Sequence, residues 1–488
     1  MIAMSKLYKR LTLTILVLTS ILTASAQDNH YSWMQYGSRN SLLYNAGLSR
    51  FEDQSAVIMN PATLSEATQS SFNFNTNVVG YNNISFANGL GEGFTVKSNN
   101  LNVLPSMASG VFKPKSQKKW IMGYALYHAN SDVLDFSDRT ERRIDLINEA
   151  EGPGAENYLA QYNLKNNLDE FTVVAGLGWK ISDRLSFGIS QSFVYRNQKY
   201  RESFAAYALT DPPLRAPVDL VGSNIDNYVQ YNALITYTKL GLTYRTKKWD
   251  LGLTLSSPTL RMMGTGEILA DLSLSNIRIT KDLLQPRRNF LANGHIQDLK
   301  AKYKYPINVS LGASRLMGNV RFYGGLQWYG SVGKYTVLDP GTASFAQPPT
   351  DDNVLLTSKL LRVWSANRSV VNGSLAADWR LRNDNHMLFS FRTDHHYANF
   401  DRNEDGNNLA IKQWNNYHFT IGNQREFKSS TWIYGVRLNY GMNKNFPQPV
   451  SFTDPTEGNF LQGAPEKGTI TSLGVQLMVS YTFKYNKS

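Results

Sequence analysis

The chain contains no cysteine, which excludes disulfides, thiolate metal sites and lipid attachment through an N-terminal cysteine. It has no apolar run long enough to cross a membrane as a helix, because the clearest one, residues 11–22, is about a dozen residues against the roughly 20 required. Charge is sparse at 18% of residues, and the G-x-S-x-G, H-E-x-x-H and P-loop signatures of common enzymes are missing. His395 and His396 are adjacent, so in a strand they would point to opposite faces and could not share a metal. No catalytic constellation is legible and the chain reads as a non-enzyme, although a hydrolase built from distant Ser, His and Asn is left open.

What is present begins with an export signal. Lys6, Lys9 and Arg10 precede the apolar run, and Ala24-Ser25-Ala26 follows it before Gln27, the layout of a secretory signal peptide cleaved after residue 26. Its removal takes away three basic residues and no acid, leaving a net charge of +9 from the formal +12. In an exported protein that basicity suits anionic lipid headgroups, lipopolysaccharide included, or an anionic lumen wall rather than nucleic acid.

The remaining residues show period 2. Leu473, Val475, Leu477, Val479, Tyr481 and Phe483 fall on one face, with Ser472, Gly474, Gln476, Met478, Ser480 and Thr482 on the other. Phe171 to Trp179, Trp249 to Leu255 and Trp432 to Tyr440 repeat the split, each apolar row beginning or ending on an aromatic, as an interfacial girdle would require. Six short polar links, near 113–118, 182–184, 245–248, 316–319, 382–386 and 427–430, alternate with seven long ones, near 88–100, 131–168, 199–229, 261–305, 335–362, 400–411 and 444–466. This predicts an all-β chain: a transmembrane antiparallel barrel of about 14 strands in a bacterial outer membrane, with both ends on the short-turn side. A soluble β-sandwich also alternates, but gives no reason for short and long links to take turns.

Three segments follow: a signal peptide at 1–26, a pre-barrel segment at 27–69 and the barrel with seven long extracellular loops at 70–488. The middle segment carries Ala56-Val57-Ile58-Met59 and Asn60-Pro61-Ala62. That apolar content favours a luminal plug over a disordered tail.

Gly47, Asp53-Gln54-Ser55-Ala56-Val57 and Asn60-Pro61-Ala62, then Leu240 to Arg245, Trp249 to Leu253 with Ser257-Pro258, and Tyr305-Pro306 leading into Val309 to Gly312, together resemble the FadL/TodX family of outer-membrane transport proteins. The resemblance implies a hatch formed by the N-terminal segment, with Asn60, Pro61 and Ala62 in it. It also implies passive uptake of hydrophobic compounds such as long-chain fatty acids or aromatics, captured outside and released sideways through a gap in the wall. An Asn-Pro turn of purely structural role explains the same three residues. Apolar residues in two long loops, Phe204, Leu209 and Leu214 in one and Ile268, Leu272 and Phe290 in the other, form either a capture groove or a self-packed cluster.

Asp401, Asn403 and Asp405 with Gly406 match the first half of a calcium loop. Lys412 stands where a bidentate Glu is needed, so a solvated turn competes with a Ca²⁺ site. No other cofactor is expected. An open porin is disfavoured by the plug. The competing function is a non-transporting barrel acting as scaffold or shuttle subunit of an outer-membrane secretion or assembly complex, with other outer-membrane proteins as partners.

Overall fold

The structure, a computed structural model, describes residues 30–31, 36–114, 119–148, 151, 154–210, 219–278, 286–342, 345–346, 361–381, 384–397, 399 and 406–484. Its strands are β1 Ser71–Ala87, β2 Val96–Phe112, β3 Trp120–Ile144, β4 Glu156–Lys180, β5 Leu185–Leu209 and β6 Leu220–Arg245. They continue as β7 Asp250–Ser256, β8 Leu260–Ile277, β9 Arg288–Lys300, β10 Asn308–Met317, β11 Val320–Tyr329 and β12 Val332–Leu338. The last six are β13 Val363–Asn367, β14 Val370–Arg380, β15 Asn385–Asp394, β16 Asn415–Glu426, β17 Ser430–Pro447 and β18 Lys467–Lys484.

All pairings between strands are antiparallel, and the ring closes where β1 meets β18. β8 and β9 prolong the β7–β10 hairpin, as β12 and β13 prolong β11–β14, so among the described residues the wall has 14 strands. Between Ser256↔Asn308 and the bond from the Thr259 amide to the Tyr305 carbonyl stand Pro258 and Pro306. Neither proline has an N–H to give to the ladder, which is why the hairpin breaks there.

Period 2 becomes inside and outside. Leu473, Leu477 and Phe483 on β18 are exposed while Ser472, Met478 and Ser480 are buried, and Trp249, Trp379 and Trp432 stand exposed near the short turns. An outer wall of exposed Leu, Val, Phe and Trp is unfavourable in water and favourable in lipid. Among the described residues, short turns lie where the sequence places them, at 181–184, 246–249, 318–319 and 427–429.

The long links are shorter than expected, because β3 to β6 run for 25 or 26 residues each. Phe204 and Leu209 stand on β5, Ile268 and Leu272 on β8 and Phe290 on β9, not in loops. The reason is chemical: past Tyr195 the outward row of β5 becomes Asn197, Lys199 and Arg201, facing water instead of lipid, so the apolar outer row that marks a spanning strand disappears. The inner row continues into an apolar core that fills the long-connection end. It joins Phe204, Ile268, Phe136, Trp414 and Phe452 from distant parts of the chain. Above it, Arg287 binds both Glu151 and Glu457, and Arg278 also binds Glu151, tying three of the long connections together.

Candidate functional site: the luminal segment, the cavity and the wall interruption

Residues 36–67 lie inside the short-turn half of the barrel and are almost entirely buried. A short helical turn, Ala56–Met59, leads into a 3-10 helix, Pro61–Glu66. Pro61 begins that helix because its fixed φ and missing N–H cost nothing in a first turn. Asn60 caps it, accepting from the Ala62 amide at 3.1 Å, and donates to the carbonyls of Leu48 at 2.7 Å and of Leu242 on β6 at 3.1 Å. Asn60, Pro61 and Ala62 therefore join the segment to itself and to the wall.

The wall meets this backbone through inward-facing glycines. A Cβ on Gly188 would strike the Pro61–Ala62 peptide, and one on Gly252 would land on the Leu48 carbonyl. Gly178 and Gly312 meet the segment's backbone in the same way, whereas Gly422 and Gly435 make room for the Leu42 side chain. Only glycine lets a strand come this close to another backbone. Gly252→Val is expected to destabilise the folded barrel by about 2–3 kcal/mol or to expel residues around Leu48, read as a lower urea midpoint or new protease cleavage in the segment. An unchanged midpoint with the segment still protected would contradict the close approach.

Charges pin the segment as well. Arg39 forms ion pairs with Glu52 at 2.9 Å and with Asp378 on β14 at 2.5 Å, and donates to Gln424 on β16 at 2.6 Å. Desolvation pushes the Glu66 carboxyl above the ordinary carboxylate range, and Arg245, 2.7 Å away, and the Phe51 amide offset this only in part.

Above the segment lies a cavity of about 170 Å³. Ile58 and Met59 form its floor, Tyr127 and Ala129 belong to β3, and Tyr31, Tyr237, Tyr305 and Tyr329 line it with rings. Lys239 on β6 also faces it and donates to the Ile58 carbonyl at 2.5 Å. At its edge Glu170 on β4 accepts from Arg196 on β5 at 2.6 Å and from the Tyr305 hydroxyl. Arg196 is fully buried, with Tyr231 at 2.8 Å, Gln198 at 3.0 Å and the Tyr303 ring beneath it at 3.8 Å.

The wall is interrupted next to this cavity. Pairing of β2 with β3 runs from Phe112↔Met122 to Met107↔Tyr127 and stops, although both strands continue. Immediately beyond, β3 slips register against β4 between His128 and Asn130, leaving Ala129 as a bulge. Higher up, among the described residues, side chains bridge the two strands: the Ser98 hydroxyl accepts from the Asp135 amide, and the Asn100 side chain donates to the Val133 carbonyl.

Of the sequence-derived ligand candidates, Phe204 and Ile268 are sealed in the core of the long-connection end, and Leu272 and Phe290 pack partly buried against it. Leu209 is exposed at a strand end. None of these lines the cavity. Leu214, Asp401, Asn403 and Asp405 lie outside the described residues. Glu170 and Arg196 have no local signal in the sequence: charges on the inward, polar row of a barrel strand are ordinary, and that these two meet shows only in the β4–β5 register.

No protein-family model matches the chain and no curated protein matches it. Solved structures do. A Pseudomonas aeruginosa FadL homologue superposes with a TM-score of 0.55 at 13% identity, over 94% of this chain and 100% of that one. The Pseudomonas putida toluene transporter TodX gives 0.51 at 14% identity, over 95% and 100%. A TodX deletion variant, described as a monoaromatic hydrocarbon channel, gives 0.52 at 14%, over 93% and 100%. The fold is that of FadL and TodX. This FadL-like barrel is similar to those two proteins over their full lengths.

Proposed function

We propose that this FadL-like barrel sits in a bacterial outer membrane and lets hydrophobic compounds pass, with residues 36–69 as the hatch that keeps the lumen from being an open pore. The observation that carries the reading is that Tyr127 and Ala129 belong both to the cavity and to the wall interruption. An apolar molecule gains nothing from a polar pore. It gains by leaving water for a lined cavity and then for lipid through the side of the barrel. The Pseudomonas putida toluene transporter TodX fits the same reasoning.

The size of the cavity favours a single-ring compound over a long-chain fatty acid. At about 170 Å³ it is close to the roughly 150 Å³ apolar cavity that takes up benzene, and its rings supply flat contact surface. Purified protein in liposomes is expected to speed entry of labelled toluene relative to protein-free liposomes, and to speed labelled oleate less. Equal entry with and without protein for both probes, together with a stoichiometric partner protein on native purification, would replace the channel reading with the scaffold one.

A further inference from the structure

Three consecutive strands lose their regular register at one height in the wall. β1 slips against β2 between Asn75 and Thr76 and again between Asn77 and Gly80, β2 leaves β3 above Met107, and β3 bulges at Ala129. An interruption of this kind leaves backbone carbonyls and amides without ladder partners, and such groups must be satisfied by something else when lipid lies outside.

The N-terminal segment supplies that something at this place. The Tyr36 hydroxyl donates to the carbonyl of Ala129, the bulged residue. The Tyr36 ring leans on the Tyr127 ring, 4.3 Å between centroids, beside the last β2–β3 pair. One residue on, the Gly37 carbonyl accepts from the side-chain amide of Asn75, where β1 first slips. Tyr36 and Gly37 thus reach from β3 to β1, across the line on which β2 has let go. Gly37 has φ +98°, and a Cβ there would collide with the Asp53 carboxylate and the Ser55 hydroxyl. Glycine is required on both counts, and the same carboxylate that organises the segment also sets the position of this dipeptide.

We propose that Tyr36 and Gly37 form a clasp that holds the wall interruption shut, so that sideways passage from the cavity begins with release of the Tyr36 hydroxyl from Ala129. The geometry stands by itself; its purpose rests on the channel reading above. The clasp is held by few bonds, which suits a contact that must open and reclose. Removing one neutral hydrogen bond shifts an open-to-closed ratio by roughly two- to ten-fold.

The test is hydrogen exchange of the full-length protein in lipid nanodiscs, comparing wild type with Tyr36→Phe and with Asn75→Ala. Tyr36→Phe keeps the ring and removes only the hydroxyl. Exchange is expected to rise by roughly two- to ten-fold in the backbone of 101–106 and 127–132, with residues 38–69 and the remaining strands unchanged. Unchanged exchange at 101–106 and 127–132 in both variants overturns the clasp. So does a rise spread equally over residues 38–69, which would make Tyr36 an ordinary part of the segment's packing. Labelled toluene passage, measured on the same variants, separates the two readings. Local opening without faster passage leaves the clasp in place and counts against the channel, whereas local opening with faster passage supports both.

Discussion

Asp53→Ala is expected to release the luminal segment and to lower the stability of its docked state by about 4 kcal/mol. The Asp53 carboxylate is buried. It accepts from the Arg39 amide at 2.6 Å, the Asn40 amide at 2.9 Å, the Asn40 side chain at 3.2 Å, and the Ser55 amide and hydroxyl at 2.8 and 2.5 Å. The Ser38 hydroxyl also donates to it at 3.4 Å, so alanine removes the acceptor of six donors, of which the Asn40 side chain keeps the Ser55 hydroxyl as a second acceptor at 2.7 Å. A buried donor left bare costs about 1–3 kcal/mol, and the sum is reduced because a loosened segment lets water reach some of them. Asp53→Asn keeps the shape but turns one acceptor oxygen into a donor, so an intermediate loss of about 2 kcal/mol is expected. Limited proteolysis of the folded barrel reports on the segment directly: cleavage between residues 38 and 69 should become fast in the alanine variant while the strands stay intact. Wild-type resistance in that variant would mean that the wall glycines, not the carboxylate, hold the segment.

Arg196→Ala is expected to cost about 3–5 kcal/mol of barrel stability, the range for removing one member of a buried ion pair. Glu170 is buried too and would lose its 2.6 Å partner, with the Tyr305 hydroxyl left to donate to it. The guanidinium also covers the Tyr303 ring and bonds to Tyr231 and Gln198, so packing is lost along with charge. The double variant Glu170→Gln/Arg196→Met should recover most of the loss, because two neutral side chains of similar size leave no bare charge in the core. Urea midpoints of the three proteins decide the matter. A double variant no better than the single one would show that packing against Tyr303, not charge, is what Arg196 contributes.

Much of this architecture was legible in advance because alternation is local. Leu473 to Phe483 announce a strand with one lipid-facing row without reference to any other part of the chain, and the short turns declare themselves by polarity within a few residues. The strand count followed from those two signals. The limits were equally physical. Where β4 and β5 rise past the membrane, Lys165, Lys199 and Arg201 replace apolar residues on the outer face, so the strands looked like loops and Phe204 and Ile268 like loop residues.

The candidate site was less legible. Asn60-Pro61-Ala62 stood out by composition, yet Gly188 and Gly252 look like any other strand glycine until the segment is seen lying against them. Glu170 and Arg196 are 26 residues apart in sequence and meet only because β4 and β5 pair in one register, Glu170 directly opposite Arg196. A period of 2 specifies which way a side chain faces, but not which residue it faces across the ladder or across the lumen.

By itself, then, the sequence determined the lipid-facing stretches of the strands, their inner and outer rows, the alternation of turns and the presence of a pre-barrel segment, since each depends on neighbours a few positions away. Tertiary structure alone decided the register that pairs Arg196 with Glu170, the place where β2 leaves β3, the cavity beside that break and the contact of Tyr36 with Ala129. Those depend on closing a ring of strands around a folded segment, and closure is a property of the whole chain.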